Sequence, residues 1–380
     1  MVRRAVIVGA GAAGLAVAAE LRRHRVDFDL LEQGGTIGVS WRGRYDSLQL
    51  HTVRQLSGLP GATIPRRCGS WVRRDDFVAY LQRYARDHDI TPRLGVEVQA
   101  ITRSGHGWDV HTTERTYGAD AVVVATGLSR SPHLPDWPGR DTFTGSLQHT
   151  AAYREPSPYA GGRVLVVGAG NSAAEIALEL TAVADEVELS IRTPPNIVRR
   201  AVLGVPSQVL GISLGALPEP ILNRLNSLVR RLSVPDLREY GLPSPPGDGF
   251  SQFLRSRTVP ILDHGFVAAI RDGRIRVVPE IARIDGPAVQ LVDGSTRRPT
   301  AIVAGTGYRP DLRGLVGDLG VLDPAGHPLV HGVHTHPDAA GLYFVGLEAV
   351  LSGLLFEIGH EARAVGRAIA QAQPATSPAR

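Results

Sequence analysis

The chain holds a single cysteine, Cys68, in 380 residues. One thiol forms neither an internal disulfide nor a CxxC redox pair. A disulfide-stapled scaffold and a dithiol reductase mechanism are therefore excluded, and a reducing, cytoplasmic setting is expected. A large excess of one sign of charge is also lacking, with 41 Lys plus Arg against 37 Asp plus Glu and a formal net charge of +4. The arginines stand in ones and twos, as in Arg22-Arg23, Arg66-Arg67, Arg73-Arg74 and Arg199-Arg200. Blocks of about five or more like charges, the mark of a nucleic-acid-binding arm, are missing, so no nucleic-acid partner is expected. No apolar run is long enough to span a bilayer. Ala5 to Leu21 comes nearest and could pass for a signal peptide, but Gly9, Gly11 and Gly14 interrupt it and it is too short to span a bilayer.

Glycine and proline, by contrast, are plentiful, at 43 and 27 residues. With ordinary hydrophobic content and a length that suits two domains, they point to an α/β protein with many strand-to-helix turns. Val2 to Val8 reads as a buried parallel strand, followed by a glycine turn, a helix through Leu21 to Arg23 and a strand from Asp27 to Glu32. The same βαβ pattern returns at Arg163 to Val167, a helix from Asn171 to about Ala182, and a strand from Glu186 to Arg192. Two Rossmann-like dinucleotide-binding domains follow from that repetition. Between them the sequence predicts a helix over Asp75 to Arg86 and strands over Val96 to Ile101, Trp108 to Thr112 and Ala121 to Ala125. The proline-studded stretch Pro132 to Pro158 is expected to be irregular and to connect the two domains. Further on, strands are expected at Ile275 to Val278, Ala288 to Leu291, Ala301 to Ala304 and Leu342 to Val345, and a helix from about Phe356 to Ala370. The expected division is residues 1–141 with 308–372 for the first domain and 158–307 for the second. The second carries an insertion at 194–257 with an amphipathic helix near Ile221 to Leu232 and a loop from Gly241 to Gly249. Residues 373–380 are expected to be a disordered tail.

Each βαβ unit carries a glycine fingerprint in the right context. Gly9-Ala10-Gly11-Ala12-Ala13-Gly14 follows a strand and opens a helix. The first glycine permits the turn, the second lets the backbone approach a pyrophosphate, and the third allows close helix-strand packing. Glu32 lies 23 residues after Gly9, at the end of the second strand. A carboxylate there accepts hydrogen bonds from a free ribose 2′-OH and repels a 2′-phosphate, which suits FAD or NAD. The second copy, Gly168-Ala169-Gly170-Asn171-Ser172-Ala173, has alanine at the third position, and its strand end carries Arg192, 24 residues after Gly168. A guanidinium there can pair with a 2′-phosphate and select NADP. Unlike charges at matching stations imply two different dinucleotides, and hydride transfer between a nicotinamide and a flavin.

Phe143-Thr144-Gly145-Ser146-Leu147-Gln148-His149-Thr150-Ala151-Ala152-Tyr153-Arg154 matches FxGxxxHxxxY followed by a basic residue. With this stretch the sequence resembles the class B flavin-containing monooxygenases, and within them most closely the YUCCA-type enzymes. Gly38-Val39-Ser40-Trp41, Tyr45 to His51, Ala125-Thr126-Gly127 with Pro132 and Pro135, Gly168 to Glu175, Val259 to Asp263 and Thr306-Gly307-Tyr308 extend the match over nearly the whole chain. Pro194 to Arg257 and the C-terminal tail match loosely. The resemblance implies that NADPH reduces a bound FAD, that NADP⁺ stays bound, and that oxygen adds to the flavin as a C4a-hydroperoxide kept dry until it oxygenates a small organic substrate. It implies that His149 and Tyr153 position NADP⁺. It also places His51, where many relatives have asparagine, as a candidate hydrogen-bond donor to the peroxide.

The residues expected to hold the cofactors are Gly9, Gly11, Ala13, Gly14, Glu32, Gln33, Trp41, His51, Thr126 and Gly127, with His149, Tyr153, Gly168, Gly170, Asn171, Ser172, Arg192, Thr193, Thr306, Gly307 and Tyr308. No metal is expected. The reaction stays open between nitrogen or sulfur oxygenation and oxidative decarboxylation of a 2-oxo acid. Baeyer-Villiger insertion is the neighbouring chemistry, and an NADPH-dependent oxidase or reductase without oxygen transfer is a separate class. A non-catalytic redox sensor is disfavoured by two intact nucleotide fingerprints. The partners expected are a small molecule and O2, and a homodimer stays open.

Overall fold

The computed structural model describes residues 4–105, 107–202, 204–214, 236–243, 245 and 259–372. Among them the chain forms two compact units. One comprises residues up to Gly43, Leu48–Ser131 and the chain from Tyr308 onward, and the other comprises Arg44–Ser47 and Pro132–Gly307.

The first unit is built on a five-stranded parallel sheet in the order Leu342–Phe344, Ala121–Val124, Arg4–Val8, Asp27–Glu32, Arg93–Leu94. Its inner strands are near-continuous runs of buried Val, Ile, Leu and Ala because helices or other layers cover both faces. The helix Ala12–Arg23 is buried at ten of its twelve positions. It packs beside the 18-residue helix Leu354–Gln371, and Gly366 allows the approach, since a Cβ there would lie 2.7 Å from that of Glu20. The helix Arg74–Asp87 turns Phe77, Tyr80, Leu81 and Tyr84 into the same core. An antiparallel meander of Val98–Ser104, Gly107–Thr112 and Thr116–Ala119 packs Trp108, Val110 and Tyr117 with the other face's cluster.

The second unit repeats the plan, with the parallel order Arg276–Val278, Glu186–Ser190, Arg163–Val167, Ala301–Ala304, Ser146–His149. Its helix Asn171–Leu180 follows the central strand, and a small antiparallel sheet of Ile281–Asp285, Ala288–Leu291 and Thr296–Arg297 closes a second cluster around Trp137, Leu165 and Ile302. In both sheets the strand that leads into the glycine turn, Arg4–Val8 or Arg163–Val167, lies between two strands that follow it in the chain, so the strand order reverses there. The crevice this leaves at the carboxyl edge is where open α/β sheets hold ligands.

Several expectations differ from what is observed. Pro132 to Pro158 is not wholly irregular, because Ser146–His149 pairs in parallel with Ala301–Ala304. It is an edge strand, so it needs no apolar run on both faces. Thr116–Ala119 is a strand that the pattern did not single out. Within 194–257, Ile197–Arg199 pairs in parallel with Ile261–Asp263, and Ser207–Leu214 is helical. The helix expected at Ile221 to Leu232, most of the Gly241 to Gly249 loop and the 373–380 tail lie outside the described residues.

One titratable group couples this packing to pH. Glu361, on the Leu354–Gln371 helix, accepts a 2.8 Å hydrogen bond from the Gly346 N–H, and burial raises its pKa from 4.5 to about 7, with Glu348 and Glu357 adding to the rise. Between those two values the unfolded chain has lost the proton that the folded chain keeps. Stability must therefore fall as pH rises through that window, by up to about 3 kcal/mol, and level off above it. Glu361→Gln retains an acceptor for Gly346 and cannot ionise. Its urea midpoint should match the parent near pH 5 and exceed it at pH 8, and an unchanged pH slope would disprove this account.

Candidate functional site

At the carboxyl edge of the first sheet, Gly9 takes φ 104° and its N–H donates to the Leu31 carbonyl at 2.7 Å. A Cβ on Gly9 would lie 2.7 Å from the Ala125 carbonyl oxygen, and one on Gly14 would lie 1.8 Å from the Gly9 carbonyl oxygen. Those two glycines let strand, turn and helix close on each other. Gly11 is different. It precedes the first turn of the Ala12–Arg23 helix, no side chain caps that end, and nothing lies within 4 Å of where its Cβ would be. Unpaired N–H groups beside open space are what an anion such as a pyrophosphate occupies.

Glu32 is buried at the end of its strand, and its two carboxylate oxygens accept from Ala10 N–H and Gly34 N–H, each at 2.8 Å. It thus braces the glycine turn. Each oxygen retains a lone pair for a ribose hydroxyl. Thr126, brought against Gly9 from the neighbouring strand end, has a buried hydroxyl with no protein partner. Gly127 beside it takes φ 77° with open space around its Cβ position. An open cradle, a carboxylate and an orphaned hydroxyl on one edge fit a dinucleotide, and these residues would hold it. Ala13 is buried behind the turn and Gln33 is exposed beyond Glu32. Trp41 packs edge-on to Phe77 with ring centres 4.8 Å apart, and His51 is half-buried just after Leu50.

The second unit presents the same edge. Gly168 takes φ 131°, donates to the Ser190 carbonyl at 3.0 Å, and a Cβ there would lie 2.2 Å from the Gly305 carbonyl oxygen. Gly170, before the Asn171–Leu180 helix, again faces open space. Alanine is admitted at the third fingerprint position because Gly305 opposite lacks a side chain: a Cβ there would meet the Ala173 Cβ at 2.8 Å. Arg192 is exposed beyond the second strand with Thr193 beside it, its guanidinium 4.0 Å from a Glu280 oxygen.

Other residues expected to touch cofactor also hold the protein's own backbone and side chains. The Asn171 amide holds backbone, donating to the Pro260 carbonyl at 2.9 Å and accepting from Leu262 N–H at 2.8 Å. His149 is buried, with Nε2 donating to the Gly307 carbonyl at 2.9 Å and Nδ1 accepting from Ala151 N–H at 3.1 Å. Burial lowers its pKa, so the ring is neutral and ties the edge strand to the turn after Ala301–Ala304. The Thr306 hydroxyl donates to the His133 carbonyl, Gly307 takes φ 85°, and Tyr308 in the first unit is half-buried. Tyr153 is buried, gives its hydroxyl to Glu179 at 3.1 Å and stacks on Tyr159.

Local sequence gave little sign of the network behind that tyrosine. Ser172, Glu175 and Glu179 lie along one side of the Asn171–Leu180 helix. Glu175 accepts from the Tyr45 hydroxyl, which also bonds to Ser172, and Glu179 accepts from Ser47 at 3.1 Å. Burial, with Glu175 alongside, holds the Tyr45 hydroxyl well above its usual pKa, so it stays a donor. His264 Nε2 lies 3.6 Å from the other Glu175 oxygen, and that carboxylate raises the histidine's pKa. The only signal for this cluster was the spacing of two acids four residues apart on a helix.

Among the described residues no helix is long and apolar enough to cross a membrane, and no group of three or more His, Cys, Asp or Glu could hold a metal ion. Residues 6–202 match the family model described as pyridine nucleotide-disulphide oxidoreductase. The chain is 32% identical over 369 residues to a probable indole-3-pyruvate monooxygenase of Arabidopsis thaliana, YUCCA7, covering 93% of this chain and 85% of that protein. It is 33% identical over 326 residues to indole-3-pyruvate monooxygenase YUCCA1 of Oryza sativa subsp. japonica, covering 84% and 80%. Among solved structures, a flavin-containing monooxygenase from Stenotrophomonas maltophilia is 25% identical with a TM-score of 0.73, covering 97% of this chain and 98% of that one.

Proposed function

The chain belongs to the flavin monooxygenases that include the YUCCA-type enzymes, and from that premise we propose that it uses FAD and NADPH to oxygenate a small organic molecule. The observation that carries the cofactor reading is the pair of opposite charges at equivalent stations, Glu32 after the first sheet's second strand and Arg192 after the second sheet's. FAD, with a free 2′-OH, suits the carboxylate, and NADPH, with a 2′-phosphate, suits the guanidinium. The flavin, when bound, supplies the redox and oxygen chemistry. The protein's part is to bind and orient the two nucleotides and exclude water. His149 and Tyr153 act as positioning residues through the backbone and helix they brace, and His51 is the candidate donor beside the flavin.

The substrate class proposed first is a 2-oxo acid, after the relatives named for indole-3-pyruvate. The balanced reaction takes the 2-oxo acid, O2, NADPH and a proton to the shortened acid, CO2, NADP⁺ and water. Nitrogen or sulfur oxygenation is the other outcome to assay. Rapid mixing of NADPH-reduced protein with oxygen should show an absorbance transient before oxidised flavin returns. With an aromatic 2-oxo acid, NADPH consumption and CO2 release should be one to one. Direct return to oxidised flavin, with hydrogen peroxide as the product whatever the substrate, would replace this reading with an oxidase.

A further inference from the structure

Glu186–Ser190 and Arg276–Val278 are neighbouring parallel strands with Ser190 opposite Val278. Arg192 and Glu280 are each two residues past that last pair, so they leave the sheet together at the edge that carries the Gly168 turn. The Glu280 side is firmly placed. Ile191 N–H donates to the Val278 carbonyl at 3.1 Å, the Ser190 hydroxyl to the Pro279 carbonyl at 2.8 Å, and Val292 N–H to the Glu280 carbonyl at 3.0 Å. The side chains differ in exposure, 78% for Arg192 and 40% for Glu280, and their closest approach is 4.0 Å. Such a pair is loose and mostly solvated, so it adds little to stability. Its position is what matters.

We propose that Glu280 is a specificity-determining residue that competes with a 2′-phosphate for Arg192 and so limits how tightly the second site holds NADP(H). The inference rests on the reading that Arg192 receives that phosphate. A phosphate carrying close to two negative charges must either take the guanidinium from Glu280 or bind beside an unpaired carboxylate, and both weaken it. A nucleotide with a free 2′-OH meets no such opposition. The pair therefore sets the site's discrimination as a difference between an attraction and a nearby repulsion.

The test uses flavin-loaded protein and direct calorimetric titration with 2′,5′-ADP and with 5′-ADP, which differ by the 2′-phosphate alone. Glu280→Gln keeps the size of the side chain and removes its charge. It should tighten 2′,5′-ADP roughly three- to tenfold at low salt while moving 5′-ADP less than about twofold, with the gain shrinking as ionic strength rises. Wild-type preference for 2′,5′-ADP that Glu280→Gln leaves unchanged, or an equal shift for both ligands, would overturn the role of Glu280 and leave that of Arg192 standing. Equal wild-type affinity for the two ligands would remove the Arg192 reading itself, and this inference with it.

Discussion

Gly14→Ala protein is expected to purify without flavin colour and to be less stable than the parent by at least about 3 kcal/mol, because overpacking in a closed turn has nowhere to relax. The added methyl would sit 1.8 Å from the Gly9 carbonyl oxygen, and the backbone of strand or helix must move to admit it. Gly11→Ala makes the informative contrast. Its methyl would enter open space, and the backbone φ of −83° at that position is ordinary for alanine. The flavin-free Gly11→Ala protein should therefore unfold at the same temperature as flavin-free parent, yet take up FAD at least about tenfold more weakly, because the methyl would stand at the proposed pyrophosphate site, which requires close backbone approach. The ratio of flavin to protein absorbance, with thermal unfolding of the flavin-free forms, checks both. Normal flavin content in Gly11→Ala would move the pyrophosphate elsewhere.

Arg192→Ala should cost NADPH roughly 10- to 100-fold in affinity while changing NADH by less than about twofold, the range of a charge-assisted hydrogen bond to phosphate. The side chain is largely exposed, so the variant should fold as the parent does. Because phosphate recognition at an exposed site is screened, the proposed preference of the parent for NADPH should also weaken as salt is raised. Equal losses for NADPH and NADH would refute the assignment.

The α/β class was legible because each unit contains a run of buried strand residues, a glycine turn and a helix, all contiguous in sequence. What escaped is non-local. Ser146–His149 carries no apolar run and sits among prolines, and only its pairing with Ala301–Ala304 makes it a strand. Asn171 was read as a cofactor-binding residue from its place in the fingerprint, and the bracing role of its amide was not. Its partners, the backbone of Pro260 and Leu262, are about ninety residues away and could not be read locally. Arg44–Ser47 likewise sits in the middle of first-unit sequence, and its place in the second unit depends on Glu175 and Glu179, some 130 residues downstream. The alanine at the third fingerprint position was readable as tolerated, but the reason, Gly305, was not.

The first unit's sheet takes its edge strand from Leu342–Phe344, and its first helix is covered by Leu354–Gln371. During synthesis, then, the βαβ segment Arg4–Glu32 emerges before the rest of its unit and waits longest. About 310 residues are translated before its last covering strand exists, and the second unit is made in the interval. At translation rates of roughly 5–20 residues per second, that exposes the apolar Ala12–Arg23 helix for some fifteen seconds to a minute on each nascent chain. The yield of this protein in a foreign host should therefore depend on chaperone supply and translation speed more than its finished stability would suggest.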